Sequence, residues 1–222
     1  MIPRVTVLQL DTHFPRIAGD VGCEATYARP PQIIRIGGAS VGQIVTNRPQ
    51  NVDISPFEEA LEHAEGDIIV TSCGFLSYWQ AHLTALTDRP FISSALTALD
   101  ALHKTHSPEA LRILTFNQDA LTATHLGEHT AYVPSIIGLP PTHHLRQVID
   151  QNLSALDEVT ASLEITKLLC ETQTEAHDHI LLECTNLPPY RAAITQETGL
   201  PVTDILTCIE QTCAGAIAPA FS

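Results

Sequence analysis

Two ten-residue stretches of this chain say the same thing 111 positions apart. "DIIVTSCGFL" starts at Asp67 and "DHILLECTNL" at Asp178, and both read aspartate, apolar run, cysteine at the sixth residue after the aspartate, leucine three further on. The spacing persists downstream, because Cys73 and Cys184 are each followed 17 residues later by a proline, Pro90 and Pro201, that opens another short apolar run. An echo held over such a length predicts two related halves, each a supersecondary unit that ends a strand on a cysteine.

Strand-length apolar runs alternate with helical-period segments: residues 4–10, 32–36, 67–71, 90–93, 111–115, 131–134, 179–183 and 200–203. Strand, helix, strand implies parallel sheets, so the expected fold class is α/β with two pseudo-symmetric Rossmann-like lobes, each a parallel sheet flanked by helices. The expected division places 1–104 plus 205–222 in the N-terminal lobe and 105–204 in the C-terminal lobe. Ser55-Pro56-Phe57-Glu58 reads as a capping box for a helix that stops near Gly66. Residues 143–176 read as one or two helices, broken near Asn152.

Composition narrows the function. Eleven Lys and Arg against 25 Asp and Glu give a formal charge of -14, which repels nucleic-acid backbones and anionic lipid surfaces. No apolar stretch approaches the roughly 20 residues a spanning helix requires, and Asp11 interrupts the N-terminus before a signal-like segment is complete. A cytoplasmic protein without nucleic-acid or membrane partners is expected. The six cysteines form no CxxC pair or compact framework, consistent with free thiols in a reducing compartment. Cys170, Cys208 and Cys213 fall in helical patterns and read as core.

The carboxyl ends of parallel strands are where open α/β sheets place ligands. A cysteine at such a strand-to-helix turn faces backbone N–H groups that favour thiolate over thiol. With the lobes facing one another, Cys73 and Cys184 meet one substrate from opposite sides. One, as thiolate, removes a proton and the other, as thiol, supplies one, which is stereochemical inversion without a cofactor. Donors that stabilise the developing charge surround each thiol: Ser72 and the Gly74 amide by the first, Thr185 and Asn186 by the second.

The motifs "VTSCGF" and "LECTNLPP", with "LQLDTHFPRIAGDVG" near the start, resemble the aspartate/glutamate racemase superfamily, which also includes hydantoin racemases, maleate isomerases and arylmalonate decarboxylases. That resemblance implies a cofactor-independent enzyme, often a homodimer, with Cys73 and Cys184 as the acid/base pair acting beside the carboxylate of a small-molecule substrate. It also implies a pocket lined by Asp11, Thr12, Pro15 and Arg16 after the first strand and by Thr115 and Asn117 after "LRILT". Gly74-Phe75 stands where the amino-acid racemases of the superfamily have Asn-Thr. Retention of both thiols favours racemase or epimerase chemistry over decarboxylation. The alternatives are an isomerase or decarboxylase of the same superfamily, or a non-catalytic two-lobed protein that binds small carboxylates.

Other features read as structural. His103 and His106, His143 and His144, and His177 and His179 form no HExxH motif and join no carboxylate at ligand spacing, so no metal site is expected. "IGGASVG" (36–42) lacks the GxGxxG spacing and the lysine of a phosphate loop and reads as an ordinary loop. Arg16 suits an ion pair and a carboxylate fork equally, and Asp11 suits a turn cap as well as a pocket group.

Overall fold

The computed structural model describes residues 2–222 and contains two four-stranded parallel sheets. The first holds β1 (Val5–Leu10), β2 (Gln32–Ile36), β3 (Ile68–Thr71) and β4 (Phe91–Ile92) in the order β2-β1-β3-β4. The second holds β5 (Leu111–Thr115), β6 (Ile136–Gly138), β7 (His179–Leu182) and β8 (Val202–Thr203) in the order β6-β5-β7-β8, the same topology repeated. Every strand pair is parallel. β1, β3, β5 and β7 are buried along their whole length, as central strands covered on both faces must be.

The echo in sequence is an echo in register. Leu8 pairs with Thr71 in the first sheet and Leu114 with Leu182 in the second. The amide before each β3-type strand returns to the neighbouring strand in the same way, Asp67 N–H to the Arg4 carbonyl and Asp178 N–H to the Ala110 carbonyl. Pro90 and Pro201 each accept from the first β residue they face, Ile69 and Ile180. Proline opens both edge strands at a position that needs only a carbonyl.

Side-chain alternation along β5 and β7 separates two apolar clusters. Ile113 and Leu181 face the cluster built mainly on the first sheet, while Leu114, Ile180 and Leu182 face the helices His144–Asp150, Glu158–Thr172 and Arg191–Thr198. The last helix, Ile205–Thr212, buries Ile205, Leu206, Cys208 and Ile209 in the first of these clusters.

Three local expectations are corrected. Residues 131–134 are not a strand but part of a 3-10 segment, Gly127–Ser135, and β6 begins just after it. Pro134 offers no N–H to a ladder, and the Tyr132 hydroxyl and Ser135 hydroxyl donate to the carbonyls of His106 and Pro108 (2.6 Å for the latter), which fixes the turn. Ser55 is the first residue of its helix, not the cap, and its hydroxyl donates to Asp53 at 2.8 Å; that helix ends at Glu62. Cys170 is exposed near the end of Glu158–Thr172, whereas Cys208 is buried. The break near Asn152 is real: Asn152 adopts φ 50°, between helices ending at Asp150 and starting at Glu158.

Candidate active site

β3 and β7 end in turns of the same design. Ser72 N–H donates to the Leu8 carbonyl at 3.0 Å and its counterpart Glu183 N–H to the Leu114 carbonyl at 2.9 Å. One residue on, the carbonyls of Cys73 and Cys184 accept from the amides of Leu76 and Leu187 at 3.2 and 3.1 Å. The two thiols thus stand at equivalent strand ends, and both line one cavity of about 30 Å³ between the sheets. Its walls are mostly apolar: Phe14 from the loop after β1, Val41 and Val45 around a one-turn helix, Phe75 and Phe116 beside the strand ends.

Polar ties fasten the lobes around it. The Thr185 hydroxyl crosses to the Ser72 carbonyl at 2.6 Å. Asn186 donates to Asp20 at 2.5 Å, and its carbonyl accepts the Cys184 thiol at 3.7 Å. Asp20 in turn holds Arg16 at 2.8 Å in an ion pair that is almost fully buried. The second guanidinium nitrogen of Arg16 donates to Thr12 at 3.1 Å, its plane lies over Phe14, and its Nε–H has no partner among the described residues. On the far side, the Asn152 side chain accepts the amides of His13 and Phe14 at 2.7 and 3.1 Å.

The electrostatics overturn one expectation. Burial first, and the Glu183 carboxylate second, push the Cys73 thiol up to about 12, against smaller opposing effects of the Phe75 amide and Arg16. The same two causes, in the same order, hold Cys184 well above an ordinary thiol, with the Asn186 amide opposing. Strand-end amides therefore do not win here: desolvation outweighs them and keeps both groups protonated thiols at neutral pH. Glu183 is itself fully buried and pushed up to about 7 by desolvation, opposed by the Thr115 hydroxyl, which donates to it at 2.6 Å.

Of the residues expected at the site, Cys73, Cys184, Ser72, Gly74, Thr185, Asn186 and Arg16 line the cavity. Thr12 and Thr115 stand behind it, holding Arg16 and Glu183. Asp11, Pro15 and Asn117 are not among its lining residues. Asp11 lies at the surface, accepting the Gly38 amide at 3.2 Å and facing Arg35, and Asn117 turns back on the Asp119 amide at 3.1 Å. Glu183, the residue that most alters both thiols, was missed. The signal was present in "LLEC", an acid inside an apolar run just before the repeated cysteine. Among the described residues no group of three or more His, Cys, Asp or Glu is placed to hold a metal.

Paired lobes with one cavity at the strand ends define a class of two-lobed α/β folds, and solved structures share it. Allantoin racemase from Pseudomonas fluorescens superposes with a TM-score of 0.59 at 13% identity, covering 94% of this chain and 88% of that one. Unliganded arylmalonate decarboxylase gives 0.55 at 14% identity over 99% and 96%, and glutamate racemase from Bacillus anthracis 0.52 at 15% over 96% and 84%. The chain shares the two-lobed α/β fold of these racemases and of the decarboxylase. No protein-family model matches the chain.

Sequence relatives are of another kind. A dimethylsulfoniopropionate lyase of Durusdinium sp. clade D is 26% identical over 216 residues, covering 90% of this chain and 70% of that protein. Dimethylsulfoniopropionate lyase 7 of Emiliania huxleyi is 26% identical over 222 residues, covering 92% of this chain and 64% of that protein. This chain thus spans from under one half to about seven tenths of the length of the curated relatives it matches.

Proposed function

We propose that this chain is a lyase acting at the carbon beside a carboxylate, with dimethylsulfoniopropionate the first substrate to test. Racemisation, decarboxylation and elimination at such a carbon share one demand: negative charge develops next to the carboxylate and must be stabilised. They differ in where that charge goes. In the elimination, a thiolate of Cys73 or Cys184 takes the α-proton and the β-carbon–sulfur bond breaks with its electron pair moving to sulfur. Neutral dimethyl sulfide leaves, acrylate remains, and the proton held on the cysteine returns to water.

The observation that carries this reading is the pair of strand-end thiols in one cavity, in a chain whose sequence relatives are lyases. The apolar wall of Phe14, Phe75 and Phe116 suits an alkylated sulfonium, a poorly hydrated cation attracted to aromatic faces. The unpartnered Nε–H of Arg16 supports docking of the carboxylate.

Incubation with dimethylsulfoniopropionate in D2O, with dimethyl sulfide measured by gas chromatography and acrylate by NMR, tests the reading. Release of both is expected, reduced about 100-fold or more by Cys73→Ala or Cys184→Ala, whichever removes the base. No release by the wild-type protein sinks the lyase reading. The second reading, racemisation of a small acid by the two thiols, is favoured by their equivalent placement on the two lobes. It requires deuterium uptake into an amino acid or hydantoin and loss of that uptake in both variants.

A further inference from the structure

Glu183 is the counterpart of Ser72 in the repeat, and the two are packed in opposite ways against the other lobe. Ser72 meets Thr185, the residue after Cys184, whose hydroxyl reaches its carbonyl at 2.6 Å. Glu183 meets Gly74, the residue after Cys73, so closely that a Cβ there would lie 2.0 Å from Glu183 Oε1 and 2.5 Å from its carbonyl oxygen. A short side chain thus opposes threonine, and a long acid opposes glycine. This accounts for Gly74 where a racemase-like Asn was the expected pattern: the space a side chain would take is filled by a carboxyl from the other lobe.

That carboxyl is packed against Gly74, next in the chain to Cys73, belongs to the residue before Cys184, and borders the cavity that both thiols line. Thr115 donates to Oε2, while among the described residues Oε1 is buried with no partner and no cation pairs with Glu183. The charged and titratable groups around it are Cys73 from the β3 turn, Cys184 on its own turn, and the Arg16–Asp20 pair from the loop after β1, in which Arg16 is already neutralised. A buried carboxyl bordering the same cavity as two groups that must lose a proton to act is placed to take that proton.

We propose that Glu183 is the proton store of this site: its carboxylate accepts the proton of a cysteine thiol, leaving thiolate and carboxylic acid, and once the thiolate has taken the α-proton the site sheds one proton to water, which restores carboxylate beside thiol. In the internal transfer the S–H bond breaks, an O–H bond forms, and the pair keeps one negative charge; that charge passes to the substrate when the α-proton is taken and returns when the site sheds a proton. Two adjacent buried anions are avoided at every stage. Glu183 acts through the thiols and is a positioning residue. The assignment rests on the thiol chemistry proposed above, yet it is testable without any substrate.

The experiment is iodoacetamide labelling of Cys73 and Cys184, quantified by peptide mass spectrometry between pH 5.5 and 10, in wild type and Glu183→Gln. In wild type the thiolate exists as the partner of protonated Glu183, so the labelling rate of the responding cysteine climbs through the ionisation near pH 7 and then levels off. Glu183→Gln keeps the shape but loses the store, and its rate climbs about tenfold per pH unit with no plateau. If wild type and variant give the same unbroken rise, the proposal is overturned. Should the variant fail to fold, the wild-type curve decides alone: a plateau supports the store and a straight rise removes it. Turnover of dimethylsulfoniopropionate by the same wild-type preparation separates the two claims. A plateau without turnover keeps the proton store and discards the lyase; turnover without a plateau does the reverse.

Discussion

Replacing Gly74 with alanine gives opposite results depending on whether the contact with Glu183 is real. Gly74 carries no positive φ, so in open space alanine would stabilise the chain by about 0.4–1 kcal/mol by restricting the unfolded state. Here the added methyl lies 2.0 Å from Oε1, 2.8 Å from Cδ and 2.5 Å from the carbonyl oxygen of Glu183. Rotation of the carboxyl relieves the first two contacts but not the third, because that carbonyl is fixed at the end of β7. Overpacking of a site that cannot yield costs about 3 kcal/mol, the upper part of the usual range. In a chain of this size that lowers the thermal midpoint by about 6–12 °C. Urea unfolding monitored by far-UV circular dichroism reads the change as a shift in midpoint at constant slope. Gly37→Ala is the control, since no atom lies within 4 Å of its Cβ position, and it should stay within about 0.5 kcal/mol of wild type. A Gly74→Ala protein as stable as wild type, or more so, would refute both the contact and the reason given for the glycine.

Three further outcomes follow from the same structure. Asp204 is fully buried, pairs with Arg191 at 2.7 Å and caps the last helix by accepting the Thr207 amide at 3.0 Å. Asp204→Ala should therefore cost about 2–4 kcal/mol in urea unfolding, more than a lost cap alone, and a cost below 1 would show the ion pair to be idle. His125 is buried and pushed down to about 4, mainly by desolvation. The unfolded chain binds a proton below its ordinary value near 6.5 while the folded one does not, so stability falls between pH 6.5 and 4, by at most about 3 kcal/mol. Unfolding at pH 7 and pH 5 should show about 2 kcal/mol of that loss in wild type and a smaller one in His125→Gln; equal losses would remove His125 as its source. Asn152→Gly keeps the left-handed backbone without strain but deletes the acceptor for His13 and Phe14. It should cost about 1 kcal/mol by urea unfolding and raise the iodoacetamide labelling rate of the cavity thiols, and no change in either would show that this tie does not hold the loop.

Most of the fold was legible because the repeat fixes more than composition does. Asp67 and Asp178, Cys73 and Cys184, Pro90 and Pro201 each mark a backbone event that recurs in the second sheet, and periodicity gave the strands between them. Residues 131–134 failed because a β-branched and aromatic pair before proline reads as strand by propensity, while the backbone there is set by side-chain bonds to distant carbonyls. The site was legible in its thiols and not in its environment. Local sequence places a cysteine by amides that lower its pKa, but the dominant effects are burial, which one strand does not reveal, and the Glu183 carboxylate, which neighbours Cys184 in sequence but reaches Cys73 only across the lobes. Phe14, Val41 and Val45 reach the cavity through tertiary packing of loops that carry no motif.

The departures from symmetry are what separate the possible reactions. Two identical thiol environments serve a reaction that must run equally from either face of a carbon, because neither direction is preferred. Here the repeat is broken at the positions that touch the thiols: Ser72 against Glu183, Gly74 against Thr185, and an Arg16–Asp20–Asn186 chain that reaches Cys184 while Cys73 has no such chain. A site built on a symmetric scaffold but unequal in its proton-handling groups is suited to a proton that leaves one face and does not return to the other. Elimination meets that description, since the electrons left behind expel a leaving group and no second protonation of carbon is needed. The inequality should appear in the labelling experiment: if Cys73 and Cys184 give superimposable pH curves, the two thiols are equivalent after all and the racemase reading regains the advantage.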